Sequence, residues 1–274
     1  MNLTSGTFKI GSGTSATTFP AFTTNNIASS TTVDYGSSNA QTIVAVNYGN
    51  LNNSGGGSRT LASTGTIGIA GTFTPGGGAY TIAGSTIDFN GTGAQTVNAI
   101  SYNNLTISGA RTTNSVTLTS GTINVAGNLN ASATFSSGAY VVTGNTVNLN
   151  GSSGTQTISG TPTFNNLTIA NTGAIADLGS STITIKNNLS KTSGNTMTSG
   201  TSTVIFTGSA GTITGANAKV LNNVTVNSGA NITNSSSGNI TINGNFSNAG
   251  TIDLSGLTTT FGGTTQSLSG AGTT

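Results

Sequence analysis

The sequence predicts an all-β chain wound as a right-handed parallel β-helix, a β-solenoid, and three observations carry that prediction. One short phrase returns at a fixed interval, apolar–polar–apolar runs fill the intervals, and glycine, serine and asparagine separate the runs. The phrase reads Ala40-Gln41-Thr42-Ile43, Ala94-Gln95-Thr96-Val97, Thr155-Gln156-Thr157-Ile158 and Thr265-Gln266-Ser267-Leu268. Its glutamines lie 54, 61 and 110 residues apart, and a degenerate copy, Ala210-Gly211-Thr212-Ile213, stands midway in the last gap. A sandwich also has many short strands, but its strands do not repeat a phrase.

The interval has finer structure. A second phrase runs Tyr48-Gly49-Asn50-Leu51, Tyr102-Asn103-Asn104-Leu105, Phe164-Asn165-Asn166-Leu167 and Leu221-Asn222-Asn223-Val224. A third begins at Ile67, Ile123, Ile183 and Ile240, and a fourth at Val33, Ile87, Val147, Val204 and Thr259. The large apolar residues closing these phrases fall at 35, 51, 73, 89, 105, 129, 149, 167, 189, 206, 224, 246 and 261. Their spacing implies a coil of about 19 residues, three coils to each repeat of about 55–60 residues, and about 14 turns. Intervals between 15 and 24 residues point to constant strands joined by variable corners.

Each coil reads as strand. Leu105-Thr106-Ile107, Leu167-Thr168-Ile169, Val224-Thr225-Val226 and Ile240-Thr241-Ile242 alternate strictly and are rich in β-branched residues. The 41 glycines count against helix, since each costs a helix interior roughly 1 kcal/mol. Stacked at about 4.8 Å, such coils bury like upon like, and no single coil is stable alone.

Composition excludes several classes. Only 4% of residues are charged and the net charge is +2, while 33% are hydrophobic and periodically placed, which sets the chain apart from a disordered linker. Lys9, Arg59, Arg111, Lys186, Lys191 and Lys219 are scattered, with no basic stripe to hold nucleic acid. There is no cysteine for a disulfide framework and no 18-residue apolar run to span a membrane. Met1 to Pro20 lack a basic start followed by an apolar stretch, so no signal peptide is expected there. Leu3–Ile10 match Leu118–Val125, and the chain stops just past the Gln266 phrase. Residues 1–274 are therefore expected to form a single continuous β-solenoid, a segment of a longer chain or a subunit whose ends neighbours cover. Neighbouring repeats or subunits, end to end, are the expected partners.

Candidate chemistry is sparse. The acids are Asp34, Asp88, Asp177 and Asp253, and there is no histidine, tryptophan or glutamate. Asp34 and Asp88 hold one position in successive repeats, which would set them about 14 Å apart along stacked coils, too far for a glycosidase pair. They read as solvated strand residues. Without His or Cys, zinc and copper sites are not expected, and no calcium motif is present. Gly55-Gly56-Gly57 and Gly76-Gly77-Gly78 lack the lysine and helix of a phosphate loop and read as corners. Asn104, Asn128, Asn166, Asn188, Asn223 and Asn245 each precede a core apolar residue. They are expected to take left-handed corners or to stack as amide ladders, with Gln41, Gln95 and Gln156 doing the same elsewhere. A sugar-binding role for these amides is the alternative. No catalytic, cofactor-binding or metal residue is assigned, no cofactor is expected, and the chain is not read as an enzyme.

The phrases Tyr102–Gly109, Gly121–Leu129 and Gly154–Gly160 resemble the repeats of giant bacterial surface proteins. The likeness is to secreted adhesins of the Bacteroidota, often exported by the type IX system. It extends to the passenger solenoids of filamentous haemagglutinin and autotransporters. The resemblance implies an extracellular, cell-surface location and a rigid stalk or filament, and it carries over no functional residue. Two other readings stand beside it: a flat threonine face for ice or for host or surface glycans, and a polysaccharide-active enzyme. The outward residues Gly68, Asn124, Thr184 and Thr241 form an irregular rank. So few titratable groups also predict stability that is nearly flat between about pH 4 and 9.

Overall fold

A computed structural model describes residues 1–274. It holds 39 short strands and no helix, and the strands pair in parallel to form a β-solenoid. The all-β, parallel-coil fold read from the repeat is the fold observed. The chain divides into two compact units, one of Met1–Thr119 with Ser132–Val141, the other of Ser120–Ala131 with Val142–Thr274.

In the second unit each coil contributes three strands. The first face stacks Gly121–Val125, Asn145–Leu149, Asn166–Ile169, Asn188–Lys191, Gly211–Thr214, Asn231–Asn234 and Thr251–Ile252. The second face holds Leu129–Ala131, Thr155–Gly160, Ile175–Asp177 and Met197–Thr198. Lys219–Leu221, Ile240–Ile242 and Thr259–Phe261 take that place in the later coils. The third face stacks Thr163–Phe164, Thr182–Ile185, Thr203–Phe206, Asn223–Val226, Phe246–Asn248 and Leu268–Ser269. Four-residue strands such as Thr182–Ile185, Thr203–Phe206 and Asn223–Val226 send two alternate residues inward, which explains the x-Φ-x-Φ signature. Ile183 lies beside Val204, Val204 beside Val224 and Val224 beside Phe246, and all four are buried.

The first unit is built the same way. Thr32–Ser37, Asn50–Asn52 and Phe73–Thr74 stack on one face. Gln41–Ile43, Arg59–Leu61 and Tyr80–Thr81 stack on the next, and Asn47–Tyr48, Thr66–Ile69, Thr86–Phe89 and Asn104–Ile107 on the third. Phe73 is 5% exposed here, and Phe246 is equally buried in the other unit.

Two details differ from the spacing argument. Coils are about 21 residues long rather than 19 and number about 13 rather than 14. The long repeat is also not three coils. Gln156 stands in Thr155–Gly160 on the second face, Thr212 in Gly211–Thr214 on the first, and Gln266 precedes Leu268–Ser269 on the third. Successive copies are two coils and two strands apart, which is eight strands, or ten between Gln95 and Gln156, where each coil carries a fourth strand. Each copy therefore lands one face away from the last. Dividing the repeat by three instead of by two and two-thirds shortens the inferred coil to about 19. For the same reason the phrase-closing residues do not all stack on one another. Leu167 does pair with Leu189, but Leu189 next meets Ile213, while Phe206 lies between Ile185 and Val226.

The core makes a direct prediction. Phe206 is fully buried between two coils, so Phe206→Ala should cost about 3–5 kcal/mol. Leu268, 63% exposed, should tolerate alanine within about 0.5 kcal/mol. Urea unfolding of the two variants checks both.

Candidate functional site

The polar groups singled out by the sequence gather at the corners, where the chain turns from one face to the next and the strand ladders cannot satisfy the backbone. Gln95 is the clearest case. Its Oε1 accepts from the Gly91 N–H at 3.0 Å, and its Nε2 donates to the carbonyls of Ile69 at 2.7 Å and Gly71 at 2.9 Å in the preceding coil. Gln156 repeats this on Gly151, Val125 and Gly127, and Gln41 on Ser37, Ile10 and Thr17. Gln266 donates to Ile242 and Gly244, both at 2.7 Å. Each glutamine thus clamps its own corner to the coil before it. Gln41, Gln95 and Gln156 are buried and stack on no other glutamine, so the ladder expected of them is not what they form.

Buried cations do the same work. Arg59, Arg111, Lys191 and Lys219 are at most 2% exposed, so four of the six basic residues are not the surface charges their scatter implied. Arg59 donates to the carbonyls of Tyr35, Ser37, Asn39 and Ser58 at 2.7–3.2 Å. Arg111 serves Phe89, Gly93, Ser108 and Gly109, and also Gln95 Oε1. Lys191 Nζ donates to Ser193 and Asn195, and Lys219 Nζ to Gly215, Asn217 and the Ser236 hydroxyl. No carboxylate forms an ion pair with any of them. The one ion pair is Lys9 with Asp34 at 3.9 Å. Carbonyl dipoles stand in for counter-ions, and the charge-assisted bonds use corner oxygens, some of which, such as those of Ser58 and Phe89, also accept a backbone N–H. Loss of hydration lowers the pKa of all four cations. For Lys219, burial first and the Lys191 charge second bring it to about 8.

The carboxylates are likewise occupied. Asp34 is buried rather than solvated, and it accepts from the Ser54 N–H at 3.0 Å and the Ser54 hydroxyl at 2.6 Å. Asp88 accepts from the Ser108 hydroxyl in the next coil, and burial pushes its pKa up. Asp34 and Asp88 lie in different sheets, since their repeat position is displaced by eight strands. Asp177 accepts from the Thr198 hydroxyl and the Gly179 N–H. Asp253 accepts from the Ser255 N–H, and the Ser255 side chain first and this N–H second lower its pKa. No three acidic residues lie together.

The asparagines face the following coil. Asn166 Oδ1 accepts from the Asn188 N–H, and Asn188 Oδ1 accepts from the Thr212 N–H. Asn223 and Asn245 repeat the pattern on Asn245 and Ser267, and Asn128 on Thr157. Asn104 Nδ2 points back to the Gly84 carbonyl at 3.5 Å. No residue other than glycine has a positive φ, so the left-handed role expected of these asparagines is not the one they play. Side-chain amides do stack at Asn124 and Asn148, where Nδ2 meets Oδ1 at 2.9 Å. The glycine runs are corners where coils nearly touch: a Cβ on Gly78 would come 2.0 Å from the Gly57 carbonyl oxygen. Gly68, Asn124, Thr184 and Thr241 do not form a rank. The last three lie on three different faces of one unit.

One surface is more regular than the sequence suggested. On the first face of the second unit, neighbouring outward positions carry Thr122, Thr146, Asn166, Asn188, Thr212 and Thr233. Beside them run Asn124, Asn148, Thr168, Ser190 and Thr214. Compared with known protein families, curated proteins and solved structures, the chain matches none.

Two measurements test the clamps. Gln156→Leu takes away the partner of the Gly151 N–H, of the Gly127 carbonyl and of Asn171 Nδ2, and should cost about 1–3 kcal/mol in urea unfolding. The Lys219 pKa sets a pH dependence that composition alone misses. An unfolded lysine near 10.4 binds more protons than the folded one, so stability should rise with pH from about 8. Above about pH 10 it should fall again, because burial raises the tyrosine pKa at Tyr35, Tyr48 and Tyr102. Melting temperatures across this range should show a rise in the native chain that is smaller in Lys219→Met, where only Lys191, its pKa also lowered by burial, still contributes.

Proposed function

We propose that this chain is a non-catalytic structural segment, a β-solenoid spacer within an extracellular bacterial surface adhesin or filament. One observation supports this reading above the rest: the side chains with the chemistry to act are spent joining coil to coil. Arg59, Arg111, Lys191, Lys219 and three glutamines are buried on backbone groups, and three of the four aspartates accept from a hydroxyl in the next coil. What faces water is mostly threonine, serine, asparagine and glycine. Such a surface has almost nothing to titrate, and continuous parallel ladders offer a protease few open ends. The resemblance of the repeats to those of giant surface proteins points to the same setting. No helix of the chain is long and apolar enough to cross a membrane.

The two uncharged side-chain ranks on the first face of the second unit favour a second reading, adhesion to an ordered hydroxyl surface such as a crystalline glycan or ice. Their spacing of about 4.8 Å along the stack is fixed by strand pairing.

Two experiments separate these readings. Antibody against the chain should label intact cells of the source, and labelling only after lysis would overturn the surface assignment. The isolated chain should neither sediment with insoluble polysaccharides nor show thermal hysteresis. Either signal, lost on replacing Thr168 and Thr214 by bulky charged residues, would favour the adhesive face over the spacer.

A further inference from the structure

We propose that the glutamine clamps shield Asn90 and Asn150 from spontaneous conversion to aspartate and isoaspartate. The chain has three Asn-Gly steps, Asn90-Gly91, Asn150-Gly151 and Asn243-Gly244. In such a step the glycine amide loses its proton and its nitrogen attacks the asparagine Cγ. A new C–N bond closes a succinimide and ammonia leaves. Water then opens either ring carbonyl, giving the aspartyl or the isoaspartyl chain. Glycine makes the step easy because it puts no side chain in the way of the attack.

The fold cannot dispense with glycine at these places. A Cβ on Gly91 would lie 2.0 Å from the Ala70 carbonyl oxygen. One on Gly151 would lie 2.9 Å from both the Ala126 oxygen and the Ala174 Cβ. Close coil approach therefore forces the labile partner onto Asn90 and Asn150. At both steps the reacting N–H is the one a glutamine holds. Gly91 donates to Gln95 Oε1 at 3.0 Å and Gly151 to Gln156 Oε1 at 3.1 Å, and both glutamines are buried. Asn90 is further held by its Nδ2, which donates to Asn47 Oδ1 at 3.2 Å. Attack requires the nitrogen to give up that bond and turn out from beneath the neighbouring coil. The third step differs, because Gly244 donates its N–H to the Asn222 backbone carbonyl at 3.0 Å, and Gln266 holds only the Gly244 carbonyl. It serves as an internal control for opening of the fold as a whole.

The test is peptide mass mapping of the full chain during incubation in mildly alkaline buffer, following the amide-to-acid mass gain at each asparagine. Gln95→Met keeps the length of the side chain and removes the acceptor. It should speed conversion at Asn90 about tenfold, the factor set by one hydrogen bond of ordinary strength, and leave Asn150 and Asn243 at the native rate. Gln156→Met should do the reverse, speeding Asn150 alone. Gln95→Glu retains an oxygen for the Gly91 N–H and should leave Asn90 protected even where the chain melts earlier. The proposal is overturned if Asn90 in Gln95→Met converts at the native rate. It is equally overturned if all three asparagines accelerate together in both methionine variants, or if Gln95→Glu exposes Asn90 as fully as Gln95→Met.

Discussion

Everything in this fold depends on satisfying the backbone where coils turn. Along the faces the problem solves itself, because parallel ladders pair each strand with the strands before and after it. At the corners the ladder breaks while the coils still stack at strand spacing, and carbonyls and N–H groups are left facing a dry interior. The chain meets this with side chains that reach one storey back or across their own bend. Glutamine supplies an acceptor and two donors at once. Arginine spans up to four carbonyls, and lysine gathers two or three oxygens. A buried cation without a carboxylate would ordinarily be costly, but here the oxygens it collects would themselves be costly if unpaired.

The three faces are chemically interchangeable, and this accounts for the odd relation between sequence repeat and coil. Each face asks only for two inward apolar residues per strand and a small or polar residue between them. Eight strands can therefore recur as a unit without respecting a three-strand coil, and each copy lands on a new face. The Gln156 phrase on one face and the Gln266 phrase on another build the same clamp because the corner geometry is the same.

Fold class, strand periodicity and inward residues such as Phe73, Leu167 and Phe246 were legible in the sequence, since all follow from alternation and repetition. Coil length was not, because periodicity reports the genetic unit and the coil is a fraction of it. The fate of Arg59, Arg111, Lys191 and Lys219 was hidden as well. Charge argues for exposure, and only their places in corners reverse that. One signal was available for Arg59, which stands in an Arg-Thr-Leu run matching the Gln41-Thr42-Ile43 phrase; in the structure Arg59 pairs directly with Gln41. Asp34 and Asp88 looked equivalent because the repeat makes them so, yet the displacement of each copy sets them in different sheets.

The register between coils tests the account most directly. The chain contains no cysteine, so a pair can be introduced cleanly. Thr168 and Ser190 are Cα partners in adjacent coils and face outward between buried neighbours. Cysteines at these two positions lie within disulfide reach and should cross-link on mild oxidation of the folded chain. Cysteines at Thr168 and Asn187, set by the shorter spacing that the sequence alone suggests, should not. Efficient cross-linking of the second pair and none of the first would contradict the coil described here.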